Sequence, residues 1–205
     1  MKKITSAKFA KRTYKEIGFE GVWADAFGLP EWRSRLLIYG NSGNGKTELA
    51  CQLANYMSGF GKVLYFSAEQ GDSKSLQMAF ERNNLLHNKN ITLAYEIAFK
   101  DVLNAVKKRS KPSVIIVDSL DYIAMTKAEY IQLNALAKNT MLVFVAWAEG
   151  NKPKSQSAKD IEYMVDIKVS VINYVAFVRS RYGGNIPYII NDERAKPHHA
   201  FMNRT

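Results

Sequence analysis

The chain is poor in cysteine, poor in proline and short of acids relative to bases, and each shortage excludes something. A single cysteine, Cys51, rules out a disulfide framework or a cysteine-based zinc site within the chain, and its bland reading is a small core residue. Five prolines and twelve glycines leave no low-complexity linker, and no internal repeat is visible, so one domain over residues 1–205 is expected. No apolar run approaches the roughly 20 residues that cross a bilayer, so no membrane partner is expected. The Met1-Lys2-Lys3 start leads into neither an apolar core nor a small-residue cleavage site, which argues against a secretory signal and for a reduced, cytoplasmic setting. Acids number 19 against 29 Lys and Arg, a formal charge of +10 whose field attracts polyanions.

The bases are clustered. Residues 1–18 form a basic lead-in whose first fifteen positions carry Lys2, Lys3, Lys8, Lys11, Arg12 and Lys15 without an acid, and Lys107, Lys108, Arg109 and Lys111 form a second group. Charge alone leaves nucleic-acid contact and a solvated, solubilising surface equally open.

What is present is a regular alternation. Apolar runs at 36–39, 63–67, 91–95, 113–117 and 141–147 read as buried strands. Between them lie helical patterns at 46–58, 73–86, around Phe99 to Val106, and at 127–138. Such a rhythm predicts an α/β fold with a mostly parallel central sheet covered by helices on both faces. After Trp147 a polar loop, 148–159, leads to runs at 165–172, 174–179 and 186–190, which read as added, partly antiparallel strands.

The segment Gly40-Asn41-Ser42-Gly43-Asn44-Gly45-Lys46-Thr47-Glu48 follows a predicted strand and opens a predicted helix, the context that makes a phosphate-binding P-loop. Glycines let successive N–H groups turn inward around phosphate, and the helix N-terminus adds its positive end. Lys46 would reach the β- and γ-phosphates of ATP and the Thr47 hydroxyl would ligate Mg²⁺. The strand Val114-Ile115-Ile116-Val117 ends in Asp118, expected beside Thr47 as a magnesium partner, with capping of the next turn as the alternative. Glu69 follows the strand 63–67, one able to neighbour the P-loop strand, and is the best placed acid to orient or deprotonate an attacking water.

Together these segments resemble the core domain of the RecA/RadA family of ATPases, from about Phe19 to about Gly184. Phe19 to Leu29 resembles the family's lead-in, Leu64-Tyr65-Phe66-Ser67-Ala68-Glu69 its strand with the catalytic glutamate, and Ile116-Val117-Asp118-Ser119 its second nucleotide motif. Arg179-Ser180-Arg181-Tyr182-Gly183 resembles the Lys-Asn-Arg-Phe-Gly signature of the RadA branch. That resemblance implies that Arg179 and Arg181 reach across a subunit boundary to a neighbour's ATP in a homo-oligomer. It further implies a RecA-like P-loop fold, DNA-stimulated ATP hydrolysis, and action on single-stranded DNA in recombination, annealing or replication. The loops after the fourth and fifth strands face DNA in the family; here they are 120–126 and 149–159, and Lys152 and Lys154 in the second are the candidate nucleic-acid contacts. The basic N-terminus is either a second electrostatic contact or a tail.

The chain also departs from the family. It lacks the cysteines and length for the zinc finger and protease-like domain of RadA proteins, and is similar in that respect to small RecA-like ATPases of phages and mobile elements. The family's polar sensor position, usually Gln or His, holds Trp147, whose indole only donates a hydrogen bond; either the reporting route differs or it uses Glu149. Two other readings stay open: a P-loop kinase acting on a small acceptor, against which 120–130 lacks an arginine, and an ATP-gated scaffold with little turnover.

Overall fold

Strands made of Val, Ile and Leu without polar alternation need cover on both faces. In the computed structural model, which describes residues 1–196, they receive it. Residues 197–205 of the expected 1–205 domain lie outside the described residues.

The lead-in holds α1 (Ser6–Ala10) and α2 (Gly21–Phe27). Then β1 (Arg35–Gly40) runs into α3 (Lys46–Ser58), β2 (Val63–Ser67) into α4 (Lys74–Arg82), and β3 (Ile91–Tyr95) into α5 (Phe99–Lys107). Next, β4 (Val114–Asp118) passes through α6 (Leu120–Ile123) to α7 (Lys127–Leu136). After it, β5 (Met141–Glu149) turns back as β6 (Lys152–Pro153) and continues into α8 (Gln156–Glu162). Last come β7 (Ile167–Ile172), β8 (Val175–Ser180), β9 (Tyr188–Ile189) and α9 (Asp192–Ala195).

The sheet order is β3-β2-β4-β5-β1-β7-β8-β9, with β6 paired to β5. Pairing is parallel from β3 to β7, and the β7–β8 and β8–β9 pairs are antiparallel. This is the α/β sheet expected from the alternation, antiparallel extension included. Side chains two apart in a strand share a face. Leu36 and Ile38 of β1 therefore join the core beneath α2, α3 and α4, while Leu37 and Tyr39 join the core beneath α5, α7 and α8. In the lead-in, Phe19 and Trp23 pack on Tyr56 of α3 and on Phe27, and anchor the segment that precedes β1.

Several expectations need correction. The strand carrying Glu69 does not neighbour the P-loop strand: β4 and β5 lie between β2 and β1. The helix after β2 stops at Arg82 rather than residue 86 because the Asn83 amide bonds back to the Ala79 carbonyl and Asn84 takes a left-handed φ of 58°. The region 148–159 is not an open polar loop. Glu149 and Lys152 pair across a tight turn that needs the positive φ of Gly150. The Ser155 hydroxyl then caps α8 by accepting from Ala158 N, and Ala158 and Ile161 bury against the sheet.

Arg35, the first residue of β1, is 3% exposed. Its guanidinium donates to Asn134 Oδ1 at 2.6 Å, Ala137 O at 2.7 Å and Thr140 O at 2.9 Å. It thereby satisfies carbonyls at and beyond the C-terminus of α7, where no intrahelical partner exists and a cation is favoured. Replacing it strands those acceptors in the interior. Arg35→Met should lower the unfolding free energy by at least about 3 kcal/mol in urea denaturation; a loss under about 0.5 kcal/mol would mean that the carbonyls find other donors.

Candidate nucleotide site

The site sits where β1, β2 and β4 present their carboxyl ends. A cleft of about 260 Å³ there is lined by the P-loop, Glu69 and Gln70. Between the end of β1 and the start of α3 the backbone turns through Gly43 (φ 76°) and Gly45 (φ 100°), conformations that a side chain rarely tolerates. A Cβ on Gly45 would lie 2.8 Å from the ring of Tyr174, which packs against the loop from the β7–β8 turn. Two bonds hold the loop to that turn: Tyr174 N donates to Asn44 O at 3.0 Å, and Asn44 Nδ2 to Val171 O at 3.4 Å.

Lys46 is 8% exposed, and its Nζ donates to Asn41 O at 3.0 Å. Burial lowers its pKa, and the charges of Asp118, Glu69 and Asp121 oppose that shift and favour the ammonium form. Asp118 is buried, and Tyr65 of β2 donates to its Oδ2 at 2.7 Å. Burial raises the Asp118 pKa; bonds from Tyr65 and Thr47 and the charge of Lys46 act against it. The expected neighbourhood of Asp118 and Thr47 is therefore present. Thr47 Oγ1 also accepts from Gln70 Nε2 at 3.4 Å.

Glu69 reaches this group although two strands separate β2 from β1. Ser67 is in register with Asp118 on β4, and Ala68 N and Glu69 N both donate to Asp118 O, at 2.7 and 3.2 Å. The turn after β2 is thus pinned beside Asp118. Glu69 is exposed, and its Oε2 accepts from the indole Nε1 of Trp147 at 3.1 Å.

Ser42 and Glu48 also line the cleft, and the remaining candidates lie elsewhere. The Glu48 carboxylate is turned toward α4, where it accepts from Arg82 at 3.1 Å and from Asn83 at 2.8 Å, so the side chain braces α3 on α4. Gly40, Asn41 and Ser42 lead into the turn, the last two exposed. Arg179 and Arg181 are exposed at the opposite end of the sheet, since Ser180 pairs with Ile167 and Ile167 with Leu36 at the start of β1. That separates them from the P-loop of their own chain by roughly 15 Å of strand. Arg181 pairs with Asp166 at 3.5 Å. Lys152 and Lys154 are exposed on the β5–β6 hairpin and after it. Cys51 is buried in α3, and burial pushes its thiol far above the usual range, which fits a core residue and not a reactive one.

Sequence reasoning missed several of the cleft's parts. Gln70, Tyr174 and Arg194 line it, and Arg194 sits over the Tyr174 ring at 4.9 Å. Nothing in the spacing pointed to the β7–β8 turn. The one available signal was Tyr65, a phenol in a buried strand, which needs a polar partner. A larger cleft of about 560 Å³ lies at the other end of the sheet, lined by Tyr14, Trp32, Arg33 and Arg35, and contains none of the expected nucleotide residues.

A glycine-rich turn between a buried strand and a helix, in a sheet of this order, defines a P-loop ATPase of RecA-like type. The chain belongs to the ATPase family associated with various cellular activities (AAA), whose family model matches residues 36–172. It is also 30% identical over 95 residues, 46% of its length, to the DNA repair protein RadA of Aquifex aeolicus (strain VF5). The match covers 20% of that relative.

The raised pKa of Asp118 carries a stability consequence. An acid whose folded pKa is raised costs stability that builds as pH rises above its unfolded value near 4 and is complete above the folded pKa. Asp118→Asn, which can still accept from Tyr65, should therefore raise the melting temperature of the ligand-free protein at pH 7–8. The difference should shrink as pH falls through the raised folded pKa and vanish below about 4. Melting curves of both proteins across pH test the sign, and an equal or lower midpoint for the variant at pH 8 would contradict it.

Proposed function

We propose that this chain is one domain that binds ATP with Mg²⁺ in the P-loop cleft and hydrolyses it, working as a cytoplasmic homo-oligomer on single-stranded DNA. The observation that carries the nucleotide reading is the convergence of Lys46, Thr47, Asp118 and Glu69 at the carboxyl edge of one sheet. The DNA reading rests on the basic charge, the exposed Lys152 and Lys154, and similarity to a protein named for DNA repair.

The residues divide the work by chemistry. Main-chain N–H groups from Gly43 to Thr47 and the start of α3 face the phosphates, as a helix N-terminus favours anions. Lys46 carries three ammonium donors, one of them on Asn41 O, leaving the others for β- and γ-phosphate oxygens. The donor set of Thr47 hydroxyl and Asp118 carboxylate fits Mg²⁺, a hard cation that takes oxygen ligands and keeps several waters. Bound there, the ion would neutralise charge on the phosphate oxygens. Among the described residues no cluster of three His, Cys, Asp or Glu side chains forms a metal cage, and a nucleotide-borne ion requires none.

Glu69 orients the attacking water and accepts its proton as oxygen bonds to the γ-phosphorus and the bond to the ADP oxygen breaks. Arg179 and Arg181 are too far from their own P-loop to touch that phosphoryl group. In an assembly they are free to face the P-loop of the next copy, where a cation stabilises developing charge.

Two measurements test this reading. Glu69→Gln should cut ATP turnover by at least about 100-fold while ATP binding persists, whereas Lys46→Ala should abolish both; undiminished turnover in Glu69→Gln removes Glu69 as the base. Turnover measured with and without single-stranded DNA, and with an added nucleoside as phosphate acceptor, separates this activity from a kinase or a silent scaffold.

Arg181→Ala should reduce turnover about 10³-fold at concentrations where the protein is assembled, with ATP affinity of the isolated subunit unchanged. Wild-type turnover by the assembled variant would place the arginine outside the reaction.

A further inference from the structure

Trp147 stands at a crossing of contacts around the candidate base. On β5 it is the partner of Gly40, the first P-loop residue, in the strand register. Its indole Nε1 donates to Glu69 Oε2 at 3.1 Å. Its own backbone is held on both sides: Trp147 N donates to Asp121 Oδ2 at 2.7 Å, and Trp147 O accepts from Lys154 N at 2.8 Å. The ring is braced as well. Tyr122 meets it edge-on with centroids 5.5 Å apart, and the Lys154 ammonium lies 5.8 Å from its centroid.

We propose that Trp147 is the positioning residue for Glu69, with α6 and the β5–β6 hairpin as its supports. Glu69 is an exposed carboxylate on a turn, with rotamers to spare; its backbone is pinned to Asp118 O, but that leaves the carboxylate free to rotate. An indole N–H is a donor only, and it meets the one side chain here that needs fixing and can only accept. Two χ angles and a ring contacted by both Tyr122 and Lys154 make Trp147 a stiff arm. A group held within a fraction of an ångström of its working position turns over faster than one that must find it.

The supports give the contact a second consequence. Asp121 and Tyr122 belong to α6 after β4, and Lys154 follows the hairpin after β5, so the two segments read as facing nucleic acid meet on one indole. A ligand that displaces either segment displaces the donor to Glu69. Turnover thereby becomes sensitive to events on that surface without any ligand touching the P-loop.

This inference rests on Glu69 as the base, and the test keeps the two apart. Trp147→Phe removes the donor and keeps an aromatic ring. Trp147→Gln restores an N–H the same number of bonds from Cβ as the indole nitrogen. The expected result is a fall in kcat of about tenfold for Trp147→Phe with KM for ATP within about twofold, and substantial recovery in Trp147→Gln. In ¹⁵N–¹H spectra the indole resonance lost in Trp147→Phe should shift in Glu69→Gln, which reports the contact itself, while a fall in kcat at constant KM that Trp147→Gln recovers is what a merely structural tryptophan would not give. The resonance should also shift in Lys154→Ala. If Glu69→Gln abolishes turnover yet Trp147→Phe matches wild type, or the indole resonance ignores Glu69→Gln, the positioning role is overturned while Glu69 stands. If Glu69→Gln itself turns over normally, the base assignment falls first.

Discussion

The structure depends on one constraint, the turn that the backbone makes between a fully buried strand and the first residue of a helix. β1 has no exposed residue, and α3 begins at Lys46, so the chain must reverse over Asn41 to Gly45 with two positive φ values and a tyrosine ring against it. A tight turn of this kind gathers successive main-chain amides into a concavity suited to an anion. The rest of the sheet serves to hold that turn still. β5 and β7 flank β1, and the β7–β8 turn bonds to Asn44 from outside.

Register does what proximity in sequence does not. Two strands separate β2 from β1, yet Ser67 pairs with Asp118 and the next two amides bond to Asp118 O. Glu69 is brought to the phosphate end by way of β4. The buried charges there have partners: Lys46 donates to Asn41 O while the charges of Asp118, Glu69 and Asp121 favour its ammonium form, and Asp118 accepts from Tyr65. Burying such groups costs stability in isolation and is tolerated because each has partners. This is the usual relation between a binding site and the fold that carries it, with local stability given up for charge held ready.

Much of the fold was legible because its signals are local. The strand at Val63–Ser67 and the helix at Lys46–Ser58 have the bounds that apolar patterning predicts, since period and capping act within a few residues. The turn at Gly150 and the cap at Ser155 were equally local and were passed over in favour of a loop, because the segment's lysines and small polar residues mask a short helix. Arg35 was invisible for another reason. A cation at a strand's first position reads as surface, and only the approach of α7's C-terminus, about a hundred residues on, makes it an interior cap.

The sequence by itself determined the identity of the elements, the place of the phosphate loop and the chemical types around it, because a glycine spacing and an apolar run followed by an acid carry their meaning wherever the chain goes. Tertiary structure alone decided which strands are neighbours, that Tyr65 bonds to Asp118, that Glu48 faces α4, and that Trp147 bonds to Glu69. Those outcomes follow from strand order and register, which are set by the packing of helices on both faces and by no residue's own preference.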